Sequence, residues 1–365
     1  MYRFILTVFS LILSTQSTLS YEVIENYYFA ITGDPQPYRI LHSDDSYDPN
    51  ANNSVTTWEP FAKSGYENLR EYNPQFLMIN GDMTEYGWGV QRDSVQKLLK
   101  DNSDIKTYYG LGNHDILNNV DDCHDNISDG FSDWFSSDAC TFHTSNMLRN
   151  DILNTFPKHN PNGYYNHSAY GSDDRGWSAS NAYAFDWGKK LRFIQLNLHP
   201  AYEVHLGSSG GAFNVAWNSA VPFLEQELNQ ARKDNRHVII GWHESDDAFD
   251  LVKDPSKWND NEKNVQKILK DNNDIIVLLT SAHRHAFKHY PNYGGTGIDM
   301  YLSGALFNSE SLLIEQYYFK DIVFLPHKCG DEYITRLQIY SIENNGDQTY
   351  RGIVYKSKQE LLNCD

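Results

Sequence analysis

Five short polar stretches hold the side chains of this 365-residue chain that are best suited to chemistry. They are Gly33-Asp34-Pro35-Gln36, Gly81-Asp82-Met83-Thr84-Glu85, Leu111-Gly112-Asn113-His114-Asp115, Gly241-Trp242-His243-Glu244 and Ala282-His283-Arg284-His285. Between them they supply two isolated carboxylates (Asp34 and Asp82), two amides (Gln36 and Asn113) and four imidazoles (His114, His243, His283 and His285). A further carboxylate, Asp115, directly follows His114. Carboxylate, amide oxygen and imidazole together suit borderline dications such as manganese, iron or zinc. Two dications offset by two carboxylates leave about +2, a charge that suits a phosphate ester and lowers the proton affinity of a bound water.

The elements that must position these residues are legible from hydrophobic runs. Tyr27 to Thr32, Phe76 to Ile79, Thr107 to Gly110, Val238 to Ile240 and Ile275 to Leu279 read as strands. The continuous apolar runs among them suit strands covered on both faces. Each leads into one of the polar stretches, which places the candidate residues at strand C-terminal ends, where open α/β sheets bind ligands. Helical spacing falls over Trp58 to Tyr72, Val90 to Lys100, Pro222 to Lys233 and Asn261 to Asp271. Asn181 to Trp187 and Leu191 to Leu198 suggest an antiparallel pair, Met300 to Gly304 continues the sheet, and Tyr317–Leu325 with Glu332–Tyr340 read as closing antiparallel strands. Residues 116–180 show the least periodicity and read as an insertion over the strand ends. Asn197, His199 and Tyr202 are candidates to line a pocket.

Composition narrows the function classes. Net charge is −18, which argues against nucleic acid as the main partner, since phosphate backbones need a basic face. A small phosphorylated substrate stays compatible, because metal ions supply local positive charge. Residues 1–20 resemble a signal peptide: Arg3 precedes the apolar run Phe4 to Leu13, and Thr18-Leu19-Ser20 supplies small residues for cleavage. That run is too short to span a bilayer, and no later run is long enough. The expectation is a secreted or extracytoplasmic protein with one domain over residues 21–365. The oligomeric state is left open. Four cysteines in an exported chain suggest disulfides, with Cys123–Cys140 and Cys329–Cys364 the favoured pairing. Asp121, Asp122, Asp125 and Asp129 match no calcium loop and read as a solvated loop. Asn52, Asn126 and Asn166 begin glycosylation triplets.

In its five ordered stretches the chain resembles the calcineurin-like metallophosphoesterase superfamily, over about residues 27–305. That family's pattern is Asp-x-His, Gly-Asp, Gly-Asn-His-Asp/Glu, a lone His, and Gly-His-x-His. The resemblance implies an α/β fold, a two-sheet sandwich with a two-metal site at strand C-termini. It implies hydrolysis of phosphomonoesters or phosphodiesters by metal-bound hydroxide. Carried over by position, Asp82 would bridge two divalent ions, and Asp34, with Gln36 in the first motif, and His285 would hold one. Asn113, His243 and His283 would hold the other. His114 would bind a phosphate oxygen or protonate the leaving group, with Asp115 orienting it. Two departures stand out: Gln36 replaces a His, and Ala282 replaces a Gly. Purple acid phosphatases carry an iron-binding Tyr three residues after the bridging Asp. Position 85 is Glu here, which argues against tyrosinate-bound iron. Gln36 motivates an alternative, a catalytically weak binding or toxin-associated module. The tyrosines motivate another, a metal- or carbohydrate-binding surface protein.

Overall fold

The computed structural model describes residues 22–37, 53–117, 138–173, 176–207, 213–325 and 328–363. Two large sheets face each other. The first has six strands: β1 (Glu22–Thr32), β2 (Leu77–Ile79), β3 (Thr107–Tyr109), β15 (Ser311–Leu325), β16 (Lys328–Ile342) and β17 (Gln348–Asn363), in the order β17-β16-β15-β1-β2-β3. β1, β2 and β3 run parallel, and β15 to β17 are antiparallel. The second has seven, built around parallel β8 (Leu191–Gln195), β11 (His237–Gly241), β12 (Ile276–Ser281) and β14 (Met300–Leu302). Its edges are β13 (Lys288–Tyr290) on one side, and β7 (Tyr183–Trp187) with β4 (Tyr165–His167) on the other.

The layer between the sheets is aromatic. Phe193 meets Phe29 edge-on at 5.1 Å and Phe76 at 5.0 Å, and Phe76 meets Phe185 at 5.5 Å. These rings alternate with residues packed against helices on the outer faces, so both strand faces are apolar. α1 (Asn53–Arg70) and α2 (Gly89–Asp101) supply Tyr66, Leu69, Val95 and Leu98 to the core that includes the first sheet. α5 (Val221–Lys233) and α6 (Asp260–Asp271) cover the second with Leu224, Leu228, Val265 and Leu269. Pro222 sits in the first turn of α5, where its missing N–H costs nothing. α6 opens on a capping box: Asn259 accepts from Glu262 N, and the Glu262 side chain accepts from Asn259 N. The α/β sandwich and the antiparallel pair of β7 and β8 agree with the sequence reading.

Three features differ from it. The stretch read as least regular contains α3 (Ala139–Asn154), α4 (Phe156–His159), β5 (Gly171–Asp173) and β6 (Gly176–Ala179). α3 was illegible because it buries Thr141, Thr144 and Ser145 beside Met147 and Leu148, so no clean apolar stripe exists. A third, four-stranded sheet joins β5 and β6 to β9 (Val204–Gly207) and β10 (Asn214–Trp217). The closing strands are three rather than two. Asn166 is a poor glycosylation site, because its amide donates to the buried Glu227 carboxylate at 2.7 Å. The signal sequence, Asn52, Asn126, Cys123, Cys364 and the 121–129 acidic cluster lie outside the described residues. Cys140 is buried at the start of α3. Among the described residues no helix is long and apolar enough to cross a membrane.

Candidate functional site

The parallel strands of both sheets end at one place, and their loops interlock there. After β1, Asp34 N donates to Gly81 O at 3.0 Å and Gln36 N to Asp82 O at 3.2 Å. After β11, His243 N donates to Asn197 O at 2.7 Å, and Ala282 N donates back to His243 O at 3.0 Å. The turns are tight enough that Asp34, Gln36, Asp82, His283 and His285 all adopt positive φ, between 34° and 73°. Non-glycine residues rarely take this conformation, and its concentration here marks a site held by its surroundings. Gly112 is required by close approach: a Cβ there would lie 2.2 Å from Asp82 Oδ1 and 2.7 Å from His243 Cδ2.

Asp82 is fully buried at the centre. Its Oδ1 accepts from His114 N at 2.9 Å. Its Oδ2 accepts from Gln36 Nε2 at 3.2 Å and lies 3.2 Å from His243 Nε2. Asn113 Oδ1 lies 2.9 Å from that same His243 nitrogen and 3.0 Å from His283 Nδ1. Donor atoms bound at about 2.1 Å to one cation sit roughly 3 Å apart, so this spacing fits a metal. Asp82, His243 and His283 also group as potential ligands of one ion. His243 Nδ1 faces Asn80 O at 2.8 Å, which leaves Nε2 as the ligating atom of the neutral ring.

On the other side of Asp82, Asp34 Oδ2 accepts from His283 N at 3.3 Å, and Asp34 Oδ1 lies 3.4 Å from His285 Nε2. Asp34 Oδ1 and Gln36 Oε1 are buried and accept no hydrogen bond. Buried oxygens without donors are costly, and a cation is the partner that satisfies them. The donor set thus fits a metal pair. Electrostatics agree: burial pushes the Asp82 carboxyl up, but the neighbouring His243 more than reverses this and holds it well below the usual range. Burial favours neutral His243, yet Asp82 raises its pKa to about 10. A cation on Asp82 competes directly with that proton.

The sequence reading had Asp115 orient His114, and the geometry corrects it. Asp115 accepts from Met83 N, Thr84 N, Thr84 Oγ1 and Gly112 N, all within 3.0 Å, and not from His114. It ties the Asp82 loop to the Asn113 loop. Burial, with the Asp82 charge behind it, raises its pKa to about 7. Among the described residues, Glu85 lies beside His114, its carbonyl 3.1 Å and its carboxylate 3.5 Å from His114 Nδ1. Glu85 lies three positions after Asp82, so the signal was present. Asn80 and Asn197 anchor His243 by their carbonyl oxygens; Asn197 was a candidate to line a pocket, whereas Asn80 carried no signal. His199 and Tyr202 line a small separate cavity with Asn197 and Trp217. Arg284 is held by Asp246 at 2.8 Å.

Among curated proteins none matches this chain. Solved structures similar in fold include a dimetal phosphatase from Danio rerio, at 13% identity and TM-score 0.44, covering 84% of this chain and 95% of that one. A purple acid phosphatase from yellow lupin (Lupinus luteus) seeds is similar at 12% identity and TM-score 0.48, covering 92% of this chain and 54% of that one. The calcineurin-like phosphoesterase family model matches residues 27–287, from β1 to just past His285, and the chain belongs to that family of metal-dependent phosphoesterases.

Proposed function

We propose that this enzyme is a secreted phosphohydrolase with a two-metal site, acting on small phosphomonoesters or phosphodiesters. Asn113, His243 and His283 would hold one divalent ion, Asp34 and His285 with Gln36 would hold the other, and Asp82 would serve both. The observation that carries this is the meeting of Asn113 Oδ1, His243 Nε2, His283 Nδ1 and Asp82 Oδ2 beside the unsatisfied oxygens of Asp34 and Gln36. When bound, the pair supplies Lewis-acid stabilisation of phosphoryl oxygens and lowers the proton affinity of water. The protein's own contribution is placement. Gln36 Nε2 and His114 N fix the Asp82 carboxylate. The His114 side chain is only partly exposed, lies beside Asp82 with Nδ1 3.1 Å from Glu85 O, and would serve as acid or hydrogen-bond donor to substrate. Manganese, iron and zinc are the candidates. Export, with loss of residues 1–20 and one domain thereafter, belongs to the same proposal.

The test is hydrolysis of p-nitrophenyl phosphate and bis-p-nitrophenyl phosphate by metal-stripped protein reloaded with each metal. Turnover that requires metal and falls by 10²-fold or more, roughly, in His114→Ala supports the assignment. The preferred ester assigns the substrate class. Full activity in His114→Ala, or turnover independent of metal, removes it.

A further inference from the structure

We infer that Glu244, assisted by Asp247, is a positioning residue for His283: the carboxylates keep the ring proton on Nε2, so that Nδ1 is the nitrogen presented to the cation. The inference rests on the metal site proposed above.

His283 Nδ1 points to Asn113 Oδ1, on the side where His243 Nε2 and Asp82 Oδ2 converge. Its other nitrogen points outward, 3.8 Å from Glu244 Oε1 and 3.5 Å from Asp247 Oδ2. Glu244 is 3% exposed, yet among the described residues no lysine or arginine pairs with it. Its Oε1 accepts from Ala248 N at 3.2 Å, and its Oε2 is buried without a hydrogen bond. Burying an acidic side chain without donors is costly, and His283 Nε2, 3.8 Å away, is a ring nitrogen that faces Glu244 Oε1.

The loop is held to keep this arrangement. Asp246, between the two carboxylates, is occupied by Arg284 at 2.8 Å and Tyr290 at 2.6 Å. Ser245 Oγ meets Ser281 Oγ at 2.7 Å, and Tyr293 donates to Ser245 O at 2.7 Å. Arg284 lies 4.0 Å from Asp247, so Asp247 is partly compensated and Glu244 is the stronger partner of the two. A cation on Nδ1 makes the Nε2–H a stronger donor, and these carboxylates are the acceptors facing it. His243 shows the contrast, since its distal nitrogen faces a neutral carbonyl. A carboxylate behind a ligating histidine raises its basicity and fixes its orientation.

The experiment is calorimetric titration of the metal-stripped full chain with manganese alone, for wild type, Glu244→Gln, Asp247→Asn, His283→Ala and the Glu244→Gln/His283→Ala double variant. Expected is about a tenfold weaker affinity in Glu244→Gln at the binding step that His283→Ala abolishes, a smaller loss in Asp247→Asn, and no further loss in the double variant. The unfolding midpoint of metal-stripped Glu244→Gln should stay at or above wild type, which separates positioning from a fold defect. Wild-type affinity in Glu244→Gln and Asp247→Asn, with loss in His283→Ala, overturns this inference alone. Undiminished binding in His283→Ala overturns the site assignment as well. Should Glu244→Gln not fold, nitrogen-15 histidine spectra of the metal-stripped wild-type chain decide. A His283 proton on Nε2 supports the inference, and a proton on Nδ1 overturns it.

Discussion

At the residue scale the site stores its cost in backbone angles and unsatisfied oxygens. Asp34 combines both: φ of 53°, complete burial, and an Oδ1 without a hydrogen bond. Asn tolerates the left-handed region better than Asp and carries no charge to bury. Asp34→Asn is therefore expected to raise the unfolding free energy of the metal-stripped protein by about 1 kcal/mol and to weaken metal binding. Urea unfolding and metal titration on the same preparation check both arms, and a loss of stability would contradict the argument. The candidate ligands were legible in sequence because their side-chain types are chemically distinctive and each follows an apolar run. The role of Asp115 was not legible. Adjacency to His114 in the chain says nothing about direction, and folding turns the carboxylate back to four donors on its own and a neighbouring loop.

At the element scale, strands and helices with strong apolar periodicity matched the reading to within a few residues, as α5 and α6 show. α6 also carries its own start signal in Asn259 and Glu262. Asn259→Ala should cost about 1 kcal/mol of stability and leave phosphatase turnover per folded molecule unchanged, because the cap is a local backbone contact. Denaturant unfolding beside a steady-state assay tests this, and unchanged stability would count against the capping role. α3 escaped detection for the opposite reason. Trp217 Nε1 donates to the buried Ser145 hydroxyl at 3.0 Å, so partners distant in sequence satisfy polar groups that a helix would otherwise turn to solvent. β17 was missed because its exposed Tyr350, Ile353 and Tyr355 break the alternation that marks a strand.

At the scale of the whole molecule, burial sets the acid response. Burial lowers the pKa of His199 to about 4, and the nearby Glu262 offsets this only in part. The unfolded chain therefore takes up a proton between about pH 6.5 and pH 4 that the folded chain refuses, so His199 erodes stability as pH falls through that window. From pH 7 to pH 5 the loss from this residue is about 2 kcal/mol. His199→Gln should lose correspondingly less than wild type over that range in denaturant unfolding, and equal losses would exclude the mechanism. By itself the sequence determined the family pattern, the candidate ligand types, the strand ends that carry them and the net charge of −18. These depend on local residue type and short-range periodicity. Only the tertiary structure decided that Asp115 turns away from His114 while Glu85 lies next to it, that the Glu244 carboxylate comes within 3.8 Å of His283 Nε2, and that Gln36 turns its amide nitrogen to Asp82. Those outcomes depend on which loops from two facing sheets meet at one point, and on the positive-φ turns that aim their side chains there.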